Sequence, residues 1–217
     1  MIDLYALTSP NIQKVFIALE ELALPYNTIL ADTWKGDHFT PEFTKLNPNQ
    51  KIPVIVDHDG PGGKKQVVFE SGAILLYLAD KTKKLIPADA GKRSDVMQWL
   101  MLQMSAIGPY SGQVVHFSRF APPGNEYALS RYKTEINRLY RIIGRCEQDL
   151  RRLKMEHLKI SDSSTEMESV ESTEPTEPAA PTAQPILPRY PRIDRMKGGL
   201  AIAALLVLYI AYRIFRR

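Results

Sequence analysis

Apolar positions change period several times along the first ninety residues. Ile2 to Leu7 predicts a short buried strand. Val15, Phe16, Leu19 and Leu22 recur at helical spacing, with Lys14, Glu20 and Glu21 assigned to the opposite face. That pattern predicts an amphipathic helix opened by Pro10-Asn11, because proline suits a first helical turn where its missing N–H costs nothing. Pro25 is expected to end it. Tyr26 to Ala31 predicts a second strand, and a loop through Trp34, Gly36 and His38 leads to a short helix over Pro41 to Leu46. Ile52 to Val56 predicts a third strand with a proline at its entry, where no ladder donor is needed. Asp59-Gly60 opens a glycine-rich turn, and Gln66 to Phe69 pairs back as a fourth strand. Ser71 is expected to cap a helix running through Leu78.

Beyond residue 90 the periodicity is helical. Lys92 to Val115 predicts one long helix, disturbed near Gly108-Pro109. Tyr127 to about Ile160 predicts another, with Ile136, Leu139, Tyr140, Ile143, Leu150, Leu153 and Leu158 on its apolar stripe. Residues 161–188 then hold six acidic residues, no Lys or Arg, and five prolines after Glu174. Such a stretch buries too little apolar surface to offset ordering entropy, which predicts a linker. Residues 198–215 are apolar on every face, apart from Arg213, over about the length that spans a bilayer.

The order strand, helix, strand, helix, strand, strand, helix is the thioredoxin-like arrangement. The fold class expected is therefore an α/β thioredoxin-like domain at 1–86, a partial all-α domain at 87–160, a linker at 161–196 and one transmembrane helix at 197–217. Composition adds little against this: 217 residues, 44% hydrophobic, 24% charged and net charge +4 exclude a collagen-like or wholly disordered chain. The single cysteine, Cys146, excludes an internal disulfide and a cysteine-based zinc site, and no metal is expected. The basic residues cluster at the apolar tail and along the last helix rather than among stacking aromatics, so no nucleic-acid partner is expected.

A helix start beside a proline-led strand is a carboxylate site in principle, since Ser71 brings a hydroxyl to free N–H groups at a positive dipole end. Asn47-Pro48-Asn49-Gln50-Lys51-Ile52-Pro53 and Phe69-Glu70-Ser71-Gly72-Ala73-Ile74-Leu75 resemble the N-terminal domain of glutathione transferases. With Ser9-Pro10-Asn11 they resemble the nu class and its relative, the fungal nitrogen-regulator prion branch. Gln98-Trp99-Leu100, Gly108-Pro109, His116-Phe117 and Arg131-Tyr132 extend the likeness to about residue 145. The resemblance implies glutathione as co-substrate. The backbone of Lys51 and Ile52, beside a cis Pro53, would pair with the cysteinyl part. Glu70 and Ser71 would hold the γ-glutamyl amine and carboxylate. Ser9 and Asn11 would lie near the sulfur as catalytic donors. His38 stands where the nu class often has glutamine at the glycyl contact, and Arg131 matches an arginine that helps complete the site. Plain structural readings stand beside these: Thr8 and Ser9 as helix caps, Lys51 as a solvated side chain, His116 as packing.

The chemistry implied is simple. A thiol of pKa roughly 8.5 is mostly protonated at pH 7, and hydroxyl and amide donors stabilise its thiolate. The thiolate attacks an electrophile or a disulfide. Two functions are therefore expected as alternatives: a membrane-anchored transferase or glutathione-dependent disulfide reductase, or a non-catalytic tail-anchored adaptor that keeps the fold. The later helices of the family are not visible in the sequence, so the helical domain is expected to be truncated, with a homodimer covering exposed apolar surface. Arg192, Arg195 and Lys197 before the apolar run, and Arg213, Arg216 and Arg217 in and after it, resemble mitochondrial outer-membrane anchors, with endoplasmic reticulum and peroxisome as the alternatives. The folded part is expected to face the cytosol.

Overall fold

The computed structural model describes residues 1–163, with side chains through Arg145. Strand β1 (Ile2–Ala6), helix α1 (Pro10–Glu21) and strand β2 (Tyr26–Leu30) form a right-twisted crossover unit whose strands pair in parallel, Ile2 opposite Tyr26 and Ala6 opposite Leu30. A 3-10 turn (Asp37–Phe39) and helix α2 (Pro41–Leu46) lead to strands β3 (Val54–Asp57) and β4 (Gln66–Phe69), and helix α3 (Ser71–Thr82) closes the unit. The sheet order is β2-β1-β3-β4, with β3 antiparallel to both its neighbours. This is the thioredoxin-like fold. Strand β3 is buried on both faces. Ile2, Leu4 and Ile55 pack against Ile12, Val15 and Leu19 of α1 and Ile74, Leu75 and Leu78 of α3 on one side. Phe43 of α2 packs with Ala31 and Val54 on the other.

Helix α4 (Ala90–Leu102), a π-helical turn (Gln103–Ile107) and helix α5 (Gly108–Arg119) run on as one rod, and α6 (Glu126–Ser163) packs back on it through Ile136, Leu139 and Ile143. The single helix expected over 92–115 is thus interrupted one turn earlier than its Gly-Pro pair. Pro109 has no N–H for the carbonyl of Ser105, and a widened turn absorbs the mismatch. Helix α1 stops at Glu21 rather than at Pro25, because Ala23 adopts φ 52. Strand β3 begins at Val54, after a cis Ile52–Pro53 peptide.

The acid at the end of β3 fixes where α3 lies. Asp57 is fully buried, accepts from the Tyr77 hydroxyl at 2.7 Å and the Asp59 N–H at 3.0 Å, and meets Lys81 Nζ at 2.8 Å. Burial pushes its carboxyl up, but the bonds from Lys81 and Tyr77 outweigh it and leave it below the usual carboxylate range. Burial and the same carboxylate push the Tyr77 phenol well above its ordinary value. The second half of α3 is pinned to the sheet, which holds its first turn beside β4. Among the described residues no helix is long and apolar enough to cross a membrane. Helix α6 runs through Ser163, so the first three residues of the linker expected at 161–196 are helical; the rest of it, the apolar run 198–215 and the side chain of Cys146 lie outside the described residues and side chains.

Candidate functional site

Three segments meet at the first turn of α3. Ser71 does not cap the helix, contrary to the expectation. Glu70 takes the cap position at φ 68 and ψ 120, and Ser71 is the first helical residue, 4% exposed. Glu70 holds no cap hydrogen bond, so its carboxylate turns to the preceding loop and accepts from Asn49 Nδ2 at 3.2 Å. Asn47, itself buried, anchors that loop: its Nδ2 donates to the Lys51 carbonyl at 2.6 Å and its Oδ1 accepts from the Asn49 N–H at 2.9 Å. The loop that carries Lys51, Ile52 and Pro53 is thereby tied to Glu70, the residue before Ser71. Pro53 is buried and the Lys51 side chain is exposed.

The helix α1 side holds Ser9 and Asn11. Ser9 occupies the cap position with an extended backbone, and its carbonyl accepts from Ile12 and Gln13 N–H groups, both at 3.1 Å. Its hydroxyl makes no cap hydrogen bond, which sets aside the plain capping reading of that oxygen. Asn11 is exposed in the first turn. His38 lies in the 3-10 turn with its ring against Phe39, centroids 3.8 Å apart, and its buried Nδ1 has no partner among the described residues. Arg131 is exposed on α6, and no bond joins it to the other candidate residues. Its positive charge helps hold the Glu135 carboxyl below the usual range, after the direct bond from Arg138. His116 meets Phe117 edge-on at 5.2 Å, and Phe117 stacks on Tyr132 at 5.5 Å.

Sequence reasoning missed one residue. Lys14 was assigned to the outer face of α1, but it is 1% exposed and buried beneath α3. Its Nζ donates to Gln103 Oε1 at 3.1 Å and approaches Met104 Sδ at 3.8 Å, and the Ser71 hydroxyl reaches the same sulfur at 3.8 Å. Burial pulls the Lys14 ammonium down to about 8, against an opposing pull from Glu70. A periodic signal for it exists, since position 14 adjoins Val15 and lies four residues before Ala18, both buried, but the charge of the side chain masks it. A cleft near β2, with Tyr5, Leu30, Asp37, Thr40 and Phe43 in its lining, shares no residue with this site. The described residues bring together no group of side chains able to hold a metal ion.

Residues 8–81 match the family model "Glutathione S-transferase, N-terminal domain". The disulfide-bond oxidoreductase YfcG of Escherichia coli K12 is 43% identical over 163 residues, 75% of this chain and 76% of that protein. The chain belongs to the glutathione S-transferase family. Within it the branch is that of YfcG and the fungal URE2 proteins: URE2 of Candida glabrata is 39% identical over 142 residues, 63% of this chain and 39% of that protein. The chain thus spans three quarters of one relative and about two fifths of the other. Among solved structures, a Pseudomonas fluorescens Pf-5 family member with two glutathione bound superposes with TM-score 0.64 at 44% identity, over 69% of this chain and 65% of that one. A Pseudomonas putida transferase with one glutathione disulfide bound per subunit gives TM-score 0.64 at 42% identity, over the same shares.

Proposed function

We propose that this glutathione S-transferase family member binds glutathione at the first turn of α3 and uses its thiol to reduce disulfides. The observation that carries the reading is the join between Asn49 and Glu70 beside the buried Ser71, which brings two separated family motifs side by side. Glu70 would receive the γ-glutamyl amine, and Ser71 with the α3 N–H groups its carboxylate. The backbone of Lys51 and Ile52, held in place by the Asn47 bond to the Lys51 carbonyl, would pair with the cysteinyl part. Ser9, whose hydroxyl makes no cap bond, and Asn11 would donate to the sulfur and favour its thiolate. His38 and Arg131 would contact the tripeptide at its glycyl end and the site's edge.

The thiolate of one glutathione attacks one sulfur of a disulfide R–S–S–R′, the S–S bond breaks, and R′–S⁻ leaves and takes a proton. A second glutathione thiolate then attacks the mixed disulfide, releasing R–SH and glutathione disulfide. Two glutathiones supply the two electrons. Relatives that hold two glutathiones, or glutathione disulfide, support this stoichiometry over addition to an electrophile. Reduction of a small disulfide by the full chain, coupled to glutathione reductase and NADPH, tests it. Ser9→Ala and Asn11→Ala are expected to lower kcat more than they raise KM, because their interaction strengthens as the sulfur gains charge. Glutathione binding without turnover would favour the adaptor reading instead.

The apolar composition of 198–215 supports a membrane anchor, with the folded domain in the cytosol and the mitochondrial outer membrane favoured by the flanking arginines and lysine. A shortened helical domain and a homodimer complete the proposal.

A further inference from the structure

Lys14 is an ammonium buried with no carboxylate within ion-pair distance among the described residues. Buried charges are normally paired, because leaving one unpaired costs several kcal/mol in desolvation. Of its three N–H groups, one meets the neutral amide of Gln103 and another only a thioether, a weak acceptor. The Ser71 hydroxyl, also buried, spends its donor on that same sulfur. Met104 reaches this spot because Gly72 leaves room: a Cβ there would stand 3.0 Å from both Met104 Cγ and Sδ. An ammonium, a hydroxyl and the positive end of a twelve-residue helix therefore converge, and among the described residues the only anion nearby is Glu70 at the cap, outside ion-pair distance of Lys14. Glu70, at the α3 cap, is the one charged group acting on Lys14, while Gln103 and Met104 from the π-helical turn are neutral. Because the Glu70 carboxylate accepts from Asn49 and forms no ion pair with Lys14, the ammonium is left to act on a second negative group at the turn.

We propose that Lys14 is the buried cationic base of the α3 carboxylate subsite, a positioning residue that makes the first turn selective for a γ-glutamyl end carrying its α-carboxylate. The inference rests on the glutathione reading above. A carboxylate at the turn draws on the field of Lys14 from behind, while Ser71 and the helix N–H groups face it. Since burial holds Lys14 near the middle of the accessible pH range, an arriving anion raises its proton affinity, and binding near pH 8 takes up protons.

Calorimetric titration of the full chain in detergent micelles tests this with two ligands. One is S-methylglutathione, which has no titrating thiol. The other is its analogue with 4-aminobutanoyl in place of γ-glutamyl, which keeps the amine and lacks the carboxylate. Wild type should bind S-methylglutathione about tenfold more tightly or better, in line with bonds to charged groups. Lys14→Met should erase most of that preference and the proton uptake at pH 8, leaving the analogue's affinity unchanged. Gln103→Glu should act in the same direction by neutralising the ammonium in place, and it carries the test should Lys14→Met fail to fold. Equal losses for both ligands, or no loss, would overturn the inference while leaving the glutathione reading intact. Failure of wild type to bind either ligand would remove both.

Discussion

Lys14 shows most sharply what one side chain contributes. Its depressed proton affinity is a stability statement. Between pH of about 8 and its ordinary value the unfolded chain binds more protons than the folded one, so this group makes stability rise with pH across that window. Below about pH 8 the full desolvation cost remains. Replacing Lys14 and Gln103 together with Met and Leu removes both buried polar partners, and is expected to stabilise the fold by about 1–3 kcal/mol at pH 7. Urea unfolding of the double variant between pH 7 and 10 checks both the sign and the loss of that slope. Ser71→Ala should behave differently. The hydroxyl's one partner is a sulfur at 3.8 Å, so stability should change little. Glutathione affinity should fall by about 1–2 kcal/mol, the scale of a bond to a charged group. The sequence concealed Lys14 because a charged side chain beside Gln13 reads as outward-facing whatever its helical position. It concealed the Glu70 cap because a serine before Gly-Ala is the expected capping residue.

The regular elements were legible where their periods were clean. Helix α2 and strand β4 fall where the pattern puts them, and β1 and β2 differ by one residue at their ends. The misses share a cause, which is backbone geometry that hydropathy does not encode: the left-handed Ala23 that stops α1, and the π-helical turn before Pro109. That turn matters to the site, since it delivers Gln103 to Lys14 of α1 and Met104 to the first turn of α3. The other end of α3 depends on Asp57. Asp57→Asn leaves Lys81 and Tyr77 without their anion and is expected to cost about 2–3 kcal/mol. Because the folded carboxyl lies below its ordinary value, its contribution is present above the unfolded pKa and lost as pH falls through the folded one. Denaturant midpoints of wild type and Asp57→Asn should therefore converge in acid and differ at neutral pH.

At the scale of the whole chain, the fold brings motifs from residues 9–11, 47–53 and 70–71 to one end of the sheet, and it was the family resemblance rather than their spacing that grouped them in the sequence. It did not anticipate that Arg131 would stand unbonded to them on α6. On the anchoring proposed above, the apolar run 198–215 would tie the chemistry to a membrane surface. Leu206→Arg places a charge at its centre at a cost of roughly 2.5–3.5 kcal/mol, and is expected to shift the protein from the carbonate-resistant to the soluble fraction. Protease digestion of intact organelles should remove the folded domain, and protection of that domain would reverse the proposed orientation.

Glutathione binding by this chain is the claim on which the rest depends. Titration of the full-length protein with reduced glutathione at pH 7, followed by calorimetry, measures it directly. Saturable binding at or below millimolar concentration, weakened about tenfold by Ser71→Ala, is the predicted result. Absence of heat up to concentrations well above millimolar, or binding indifferent to Ser71→Ala, would contradict the account.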